Sequence, residues 1–340
     1  MQRNGAKDHG KVNLGIELLR SLLCLWVVIV HCTSIKKEHM KYLGRGFHVP
    51  TFFMLSFYFY YPILNQRRIN KIKIRFQRLL FPYIFYSLSV FVLNNILVNK
   101  TSFGKEKEKL YFSDLYLQLL TGSRYYRIFW FQFNLIYLTF FFTILSFTLK
   151  NHSLFSFEIL AIISLYLLFQ KTNFNFFNSS ELHIKMSLGR LNSSIPLGVL
   201  GCVFGSKNLL LRINNLNKQN YLILLSLVYI LIKYDLFVMY PGFLYSNTLL
   251  FLISTTILFI IFGSFKFDNH PIFNKFIKSS TRFTGGIYYI HQIFPKYIYF
   301  FINKKKASYF DSFIIYIICY YFCFIGNKLF KNIKIKYLFT

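Results

Sequence analysis

The chain has 340 residues, 55% of them hydrophobic, and carries 40 Lys and Arg against 11 Asp and Glu for a formal net charge of +29. In a soluble protein that charge would point to nucleic acid. Here it is parcelled into short stretches between apolar runs of membrane length, which excludes a nucleic-acid binder and one or two soluble domains. What remains is a single polytopic membrane bundle whose basic loops meet anionic lipid headgroups.

Residues 1–12 form a polar, net basic head, expected on the cytoplasmic side. The first apolar run, residues 13–33, is interrupted by Glu17, Arg20 and His31, side chains that hydrocarbon does not tolerate cheaply. These interruptions, the lack of a small-x-small cleavage site and the further spans downstream argue against a signal peptide. Residues 47–64 make a second span, and the stretch 65–78, with Arg67, Arg68, Lys71, Lys73, Arg75 and Arg78 and no acidic residue, reads as a cytoplasmic loop. Further spans follow at about 79–98, 128–149, 154–170, 191–206, 220–238, 246–265, 283–302 and 311–329, with a basic cytoplasmic tail at 330–340. The external segments are 99–127, 171–190, the turn at 240–242 and the basic stretch at 304–306; the segment ending at Arg282 is cytoplasmic. The expected fold is therefore all-α, a membrane bundle of about ten transmembrane helices with both termini in the cytoplasm. Gly198, Gly201 and Gly205 in the sixth span suit close helix approach.

The first span sets the chemistry. Eleven residues at about 100° each return to within about 20° of the start, so Arg20 and His31 share a helix face, about 16 Å apart along the axis. Glu17 lies three residues before Arg20, where an ion pair reduces the cost of burying a guanidinium. Ser21 and Cys24 fall on or beside the same stripe, which reads as the lining of a polar cavity. His31 lies near the outer end of its helix and His48 starts the next helix on that side, so the two share a depth. A neutral imidazole there can act as general base toward a hydroxyl, and a second can orient it or protonate a leaving group; His48 also reads as a simple interfacial residue. His31, Cys32, His39 and His48 cluster in sequence, but their spacing matches no zinc pattern. Cys24, Cys32, Cys202, Cys319 and Cys323 lie in or at the ends of apolar runs and imply no disulfide framework. No repeat, dinucleotide glycine fingerprint or Walker motif occurs.

With those residues in place, the segment GIELLRSLLCLWVVIVH resembles the opening helix of acyltransferase family 3, integral-membrane O-acyltransferases marked by Arg, ten residues, then His. Glu17 falls where the family has an acidic residue. FHVPTFFMLSFYFY is similar to the family's second helix at His48, Pro50, Phe52, Phe53 and Ser56, although Phe57 replaces the glycine that follows the serine. RFQRLLFPYIFYS resembles the basic turn and third helix through Arg75, Arg78 and Pro82. FWFQFNLIY and STRFTGGIYYIHQIF, the latter with Tyr288 and His291, are further landmarks.

The resemblance covers nearly the whole chain, 1–340, as one membrane acyltransferase domain of the short form without an esterase-like extension. It implies transfer of an acyl group, commonly acetyl, from cytoplasmic acetyl-CoA as donor substrate to a hydroxyl of a cell-surface glycan or its lipid-linked precursor. No permanently bound cofactor or metal is expected. His31, Arg20 and His48 are the expected catalytic residues. Arg20, Arg75, Arg78 and His291 are expected on the donor side, His291 being nearer Arg20 in depth or else a bundle-interior hydrogen-bonder. Glu17, Ser56 and Tyr288 are expected in support. The competing reading is a transporter or exporter of a glycan or lipid-linked sugar, since polar residues inside a bundle also line substrate paths.

Overall fold

A computed structural model of the chain describes residues 13–32, 48–98, 110–122, 129–148, 182–206, 249–265, 271–291, 309–331 and 334–340, together with 220, 223 and 227. Among the described residues there is no strand. The helices are α1 (Leu14–Cys32), α2 (His48–Asn65), α3 (Ile69–Val98), α4 (Phe112–Thr121), α5 (Trp130–Thr148), α6 (Leu182–Ser206), α7 (Leu249–Ser264), α8 (Pro271–Arg282), α9 (Thr284–Ile290) and α10 (Tyr309–Leu329), followed by a 3-10 turn at Lys334–Leu338. Four stretches are long and apolar enough to cross a membrane: Leu14–His31, Ile69–Ile96, Trp130–Thr148 and Phe310–Leu329. Ser194–Ser206 and Thr255–Ser264 are shorter apolar helices. The expected span at 154–170 lies outside the described residues, as does nearly all of that at 220–238.

Local chemistry sets several helix ends. The Asn13 side chain accepts from the Ile16 amide at 3.1 Å, capping α1, and donates to the Gly263 carbonyl at 2.7 Å, tying that cap to the end of α7. α4 stops at Gly122, whose φ of 65° is left-handed and whose amide returns to the Gln118 carbonyl.

Contacts between helices give their relative directions. Ser21 meets Ser280, Arg20 meets Thr284 and His31 meets His291, so α1 runs parallel to the α8–α9 path. Gly201 lies against the Met54 carbonyl and Gly205 against that of Tyr58, so α2 and α6 are parallel to each other. Phe131 meets Phe53 and Ser146 meets Leu64, which sets α5 parallel to α2. Arg67 reaches the Ser146 carbonyl and Arg75 reaches Thr139, so α3 opposes α5. This alternation is the one expected from the sequence. The Gly201 contact also accounts for Phe57. The close approach expected of a glycine in α2 is made instead by glycines on α6, with Phe57 packed edge-on to Phe142 at 4.9 Å.

Several expected loops are helical. The basic stretch 65–78 turns only at 66–68 and is then the first part of the 30-residue α3. The segment 171–190 becomes helix from Leu182, the segment before Arg127 contains α4, and the segment ending at Arg282 is α8. The end of the basic tail is docked into the bundle, with Leu338 4% and Phe339 7% exposed.

Candidate functional site

The polar stripe of α1 faces α8 and α9. Arg20 Nη1 donates to both carboxylate oxygens of Glu17 at 3.2 Å, and Nη2 reaches Thr284 Oγ1 at 3.4 Å. The Ser21 and Ser280 hydroxyls lie 2.7 Å apart, and the Cys24 thiol points at the Thr284 carbonyl at 3.7 Å. The Arg20 side chain keeps 32% of its surface exposed and Glu17 keeps 14%, so this cluster is half-buried.

At the other end of the same face stands His31, exposed on the last turn of α1, with its ring centroid 5.5 Å from that of fully buried His291. Thr284 and His291 are seven residues apart, about two helical turns, so one face of the α9 segment receives both Arg20 and His31. His291 Nδ1 lies 3.1 Å from the Ile287 carbonyl; a carbonyl only accepts, so Nδ1 carries a proton, and when the ring is neutral Nε2 carries the lone pair. His48, buried at the start of α2, is close enough to both other imidazoles for their charges to interact. The Tyr288 ring stands between Phe131 at 5.2 Å and His291 at 5.9 Å. Tyr289 stacks on Tyr86 at 4.9 Å.

Two expected placements change. His291 does not stand at the depth of Arg20, where Thr284 is found instead; it stands against His31. Thr284 starts α9 beside Arg20, and the seven residues to His291 carry that ring about 10 Å further along the helix. Arg75 is not in a loop. It lies against Ser56 and Thr139, each near the middle of its own helix, donating from Nη2 to Ser56 Oγ at 2.7 Å, from Nη1 to the Ser56 carbonyl at 3.4 Å and from Nε to Thr139 Oγ1 at 3.3 Å. The Tyr60 ring covers its guanidinium at 4.2 Å. Ser56 is thus the hydrogen-bond partner of Arg75. Arg78 is exposed and sits 5.7 Å over the Tyr337 ring. Among the described residues no group of three or more His, Cys, Asp or Glu is arranged to hold a metal, and Cys24, Cys202, Cys319 and Cys323 are buried thiols outside any disulfide.

Thr284, Ser280, Thr139 and Tyr60 were not anticipated as site residues. Their signal was present only as polar atoms inside apolar helices, and the partner of each lies on a different helix.

An apolar helical bundle with a half-buried ion pair between its helices, two buried imidazoles and a third exposed beside one of them is a membrane protein with a polar site among its helices. The family model described as an acyltransferase domain, that of acyltransferase family 3, matches residues 13–330, and the chain belongs to this family. No curated protein and no solved structure matches the chain. The protein is a membrane acyltransferase.

Proposed function

We propose that the protein is an O-acyltransferase of the cell membrane. It takes an acetyl or similar acyl group from acyl-CoA on the cytoplasmic side and transfers it to a hydroxyl of a cell-surface glycan or its lipid-linked precursor. The observation that carries this reading is the common face of α1, on which Arg20 and His31 both turn to one helix segment, α9. The separation of about 16 Å between them suits an extended pantetheine arm.

In the reaction His31, the exposed member of the histidine pair, removes the acceptor hydroxyl proton. The hydroxyl oxygen attacks the thioester carbonyl, a C–O bond forms, the C–S bond breaks, and the proton passes through the imidazole to the departing thiolate. His291, whose Nε2 lone pair faces away from the Ile287 bond, orients His31 and shares the imidazolium charge; His48 adds a third imidazole to that end. Arg20, with one nitrogen held by Glu17 and the other only loosely engaged at 3.4 Å, offers a donor phosphate or the developing oxyanion a charged partner.

The test is transfer of radiolabel from acetyl-CoA to membrane glycan in vesicles. The wild type labels the glycan and His31→Ala, at equal expression, does not. A wild type that moves glycan without labelling it would favour the transporter reading, and full activity in His31→Ala would remove His31 from the mechanism.

A further inference from the structure

The segment Lys334–Thr340 is packed into the bundle at the foot of the helix that carries Thr284 and His291. The Tyr86 hydroxyl donates to the Leu338 carbonyl at 3.1 Å, and the neighbouring Tyr86 ring stacks on Tyr289 of α9. The Phe339 ring lies parallel to Phe330 at 5.9 Å with an interplanar angle of 6°, and meets Phe322 at the same distance. Its backbone lies against α9: a Cβ added at Gly286 would stand 2.8 Å from the Phe339 carbonyl carbon and 2.7 Å from Cys323 Sγ. At Gly285 it would stand 3.0 Å from the Thr340 carbonyl carbon. Two adjacent glycines directly after Thr284 thus let the tail backbone touch the α9 backbone, a closeness that no other residue type allows without displacement.

α9 is short and begins at a break. Phe283, with φ −103° and ψ 4°, separates it from α8, so the continuous hydrogen-bonded ladder of a single helix does not hold α9 in place. Its position is held by α1 through the polar stripe, by α10 at Cys323, by the Tyr86 and Phe131 rings, and by the tail through Gly285 and Gly286.

We propose that the tail, through Phe339, is a positioning device for the catalytic pair. It wedges α9 so that Thr284 stays within reach of the Arg20 guanidinium while His291 stays beside His31. Phe339 touches neither donor nor acceptor. It acts through α9, and the activity arm of its test rests on the acyl-transfer reading above.

The experiment uses the full chain in detergent or vesicles, comparing wild type, Phe339→Ala and Gly286→Ala. The first variant removes the ring that seats the tail against α10; the second sets a methyl against the tail backbone and Cys323 while leaving the buried ring in the protein. Turnover is measured per folded molecule, across pH. Because a misplacement of about 1 Å can cost up to about a hundredfold in rate, both variants should lose tenfold or more in turnover. Both should also shift the pH–rate profile, since the spacing of the His31 and His291 rings changes.

A second readout is independent of activity. With Thr284→Cys introduced opposite the native Cys24, whose thiol lies 3.7 Å from the Thr284 carbonyl, disulfide formation on mild oxidation reports the register of α1 against α9, because the bond tolerates only a narrow geometry. Its yield should fall several-fold when Phe339→Ala or Gly286→Ala is added. Lowered thermal stability with unchanged turnover per folded molecule, unchanged pH profile and unchanged cross-link yield would overturn the proposal, leaving Phe339 as packing alone. If Phe339→Ala fails to fold, Gly286→Ala decides by the same criteria. If the wild type itself transfers no acyl group, the acyl-transfer reading fails, and the cross-link yield still decides whether the tail sets the register.

Discussion

The guanidinium of Arg20 uses its fork: one nitrogen spans both oxygens of Glu17 and the other turns to Thr284. An ammonium is a point charge that cannot reach both at once. Arg20→Lys should therefore retain the fold, because charge and much of the stem remain, while losing most acyl transfer. Measuring KM for acyl-CoA separately from turnover would show whether the loss is in donor binding or in chemistry, and near-normal values of both would remove Arg20 from the donor side. Arg20, Glu17 and His31 were legible in the sequence because helical periodicity alone decides which residues of one helix share a face. Thr284 and His291 were less so. Their position depends on how α9 lies against α1, and periodicity within one helix says nothing about the offset between two. Arg75 was misplaced for a related reason: a dense basic run reads as a loop, whereas here neutral hydroxyls and the Tyr60 ring accept its guanidinium inside the bundle.

At the scale of elements, α2 and α6 show where close packing is encoded. A Cβ on Gly201 would press on the Met54 carbonyl and stand 3.1 Å from Phe57 Cβ, both on the α2 side. Gly201→Ala should force the pair apart and lower stability by about 1–3 kcal/mol, read as a drop in thermal midpoint of the purified protein. An unchanged midpoint would mean that α2 and α6 are not held by this approach. The face shared by Arg20 and His31 has its own test. One alanine inserted between Cys24 and Trp26 keeps every residue but turns one end of α1 by about 100° against the other and adds about 1.5 Å. Either the Thr284 contact or the His291 contact is then lost, and activity should collapse. A four-residue insertion restores the face approximately while extending the separation by about 6 Å, so folding should recover better than turnover. A one-residue insertion as active as wild type would mean that the two ends of the stripe do not work together.

At the scale of the molecule, α3 runs against α5 and the parallel α2, and so connects opposite sides of the bundle. Its 30 residues extend about 45 Å, more than the roughly 30 Å of hydrocarbon, so an upright α3 would have its turn at 66–68 and the Asn95–Leu110 link at opposite surfaces. The basic residues Arg67, Arg68, Lys71 and Lys73 gather at the first of these ends, which the positive-inside rule assigns to the cytoplasm. Cysteines placed at two exposed positions test this directly: Gln66, in the turn before α3, and Phe112, 81% exposed at the start of α4. In intact cells a membrane-impermeant maleimide should label Phe112→Cys, and Gln66→Cys only after permeabilisation. Labelling of both from the same side would mean that α3 does not cross. The reversed pattern would put His31 and His291 on the side of the proposed acyl-CoA donor, and the proposed acceptor outside the cell could then not reach His31, which would overturn the proposed transfer across the bundle.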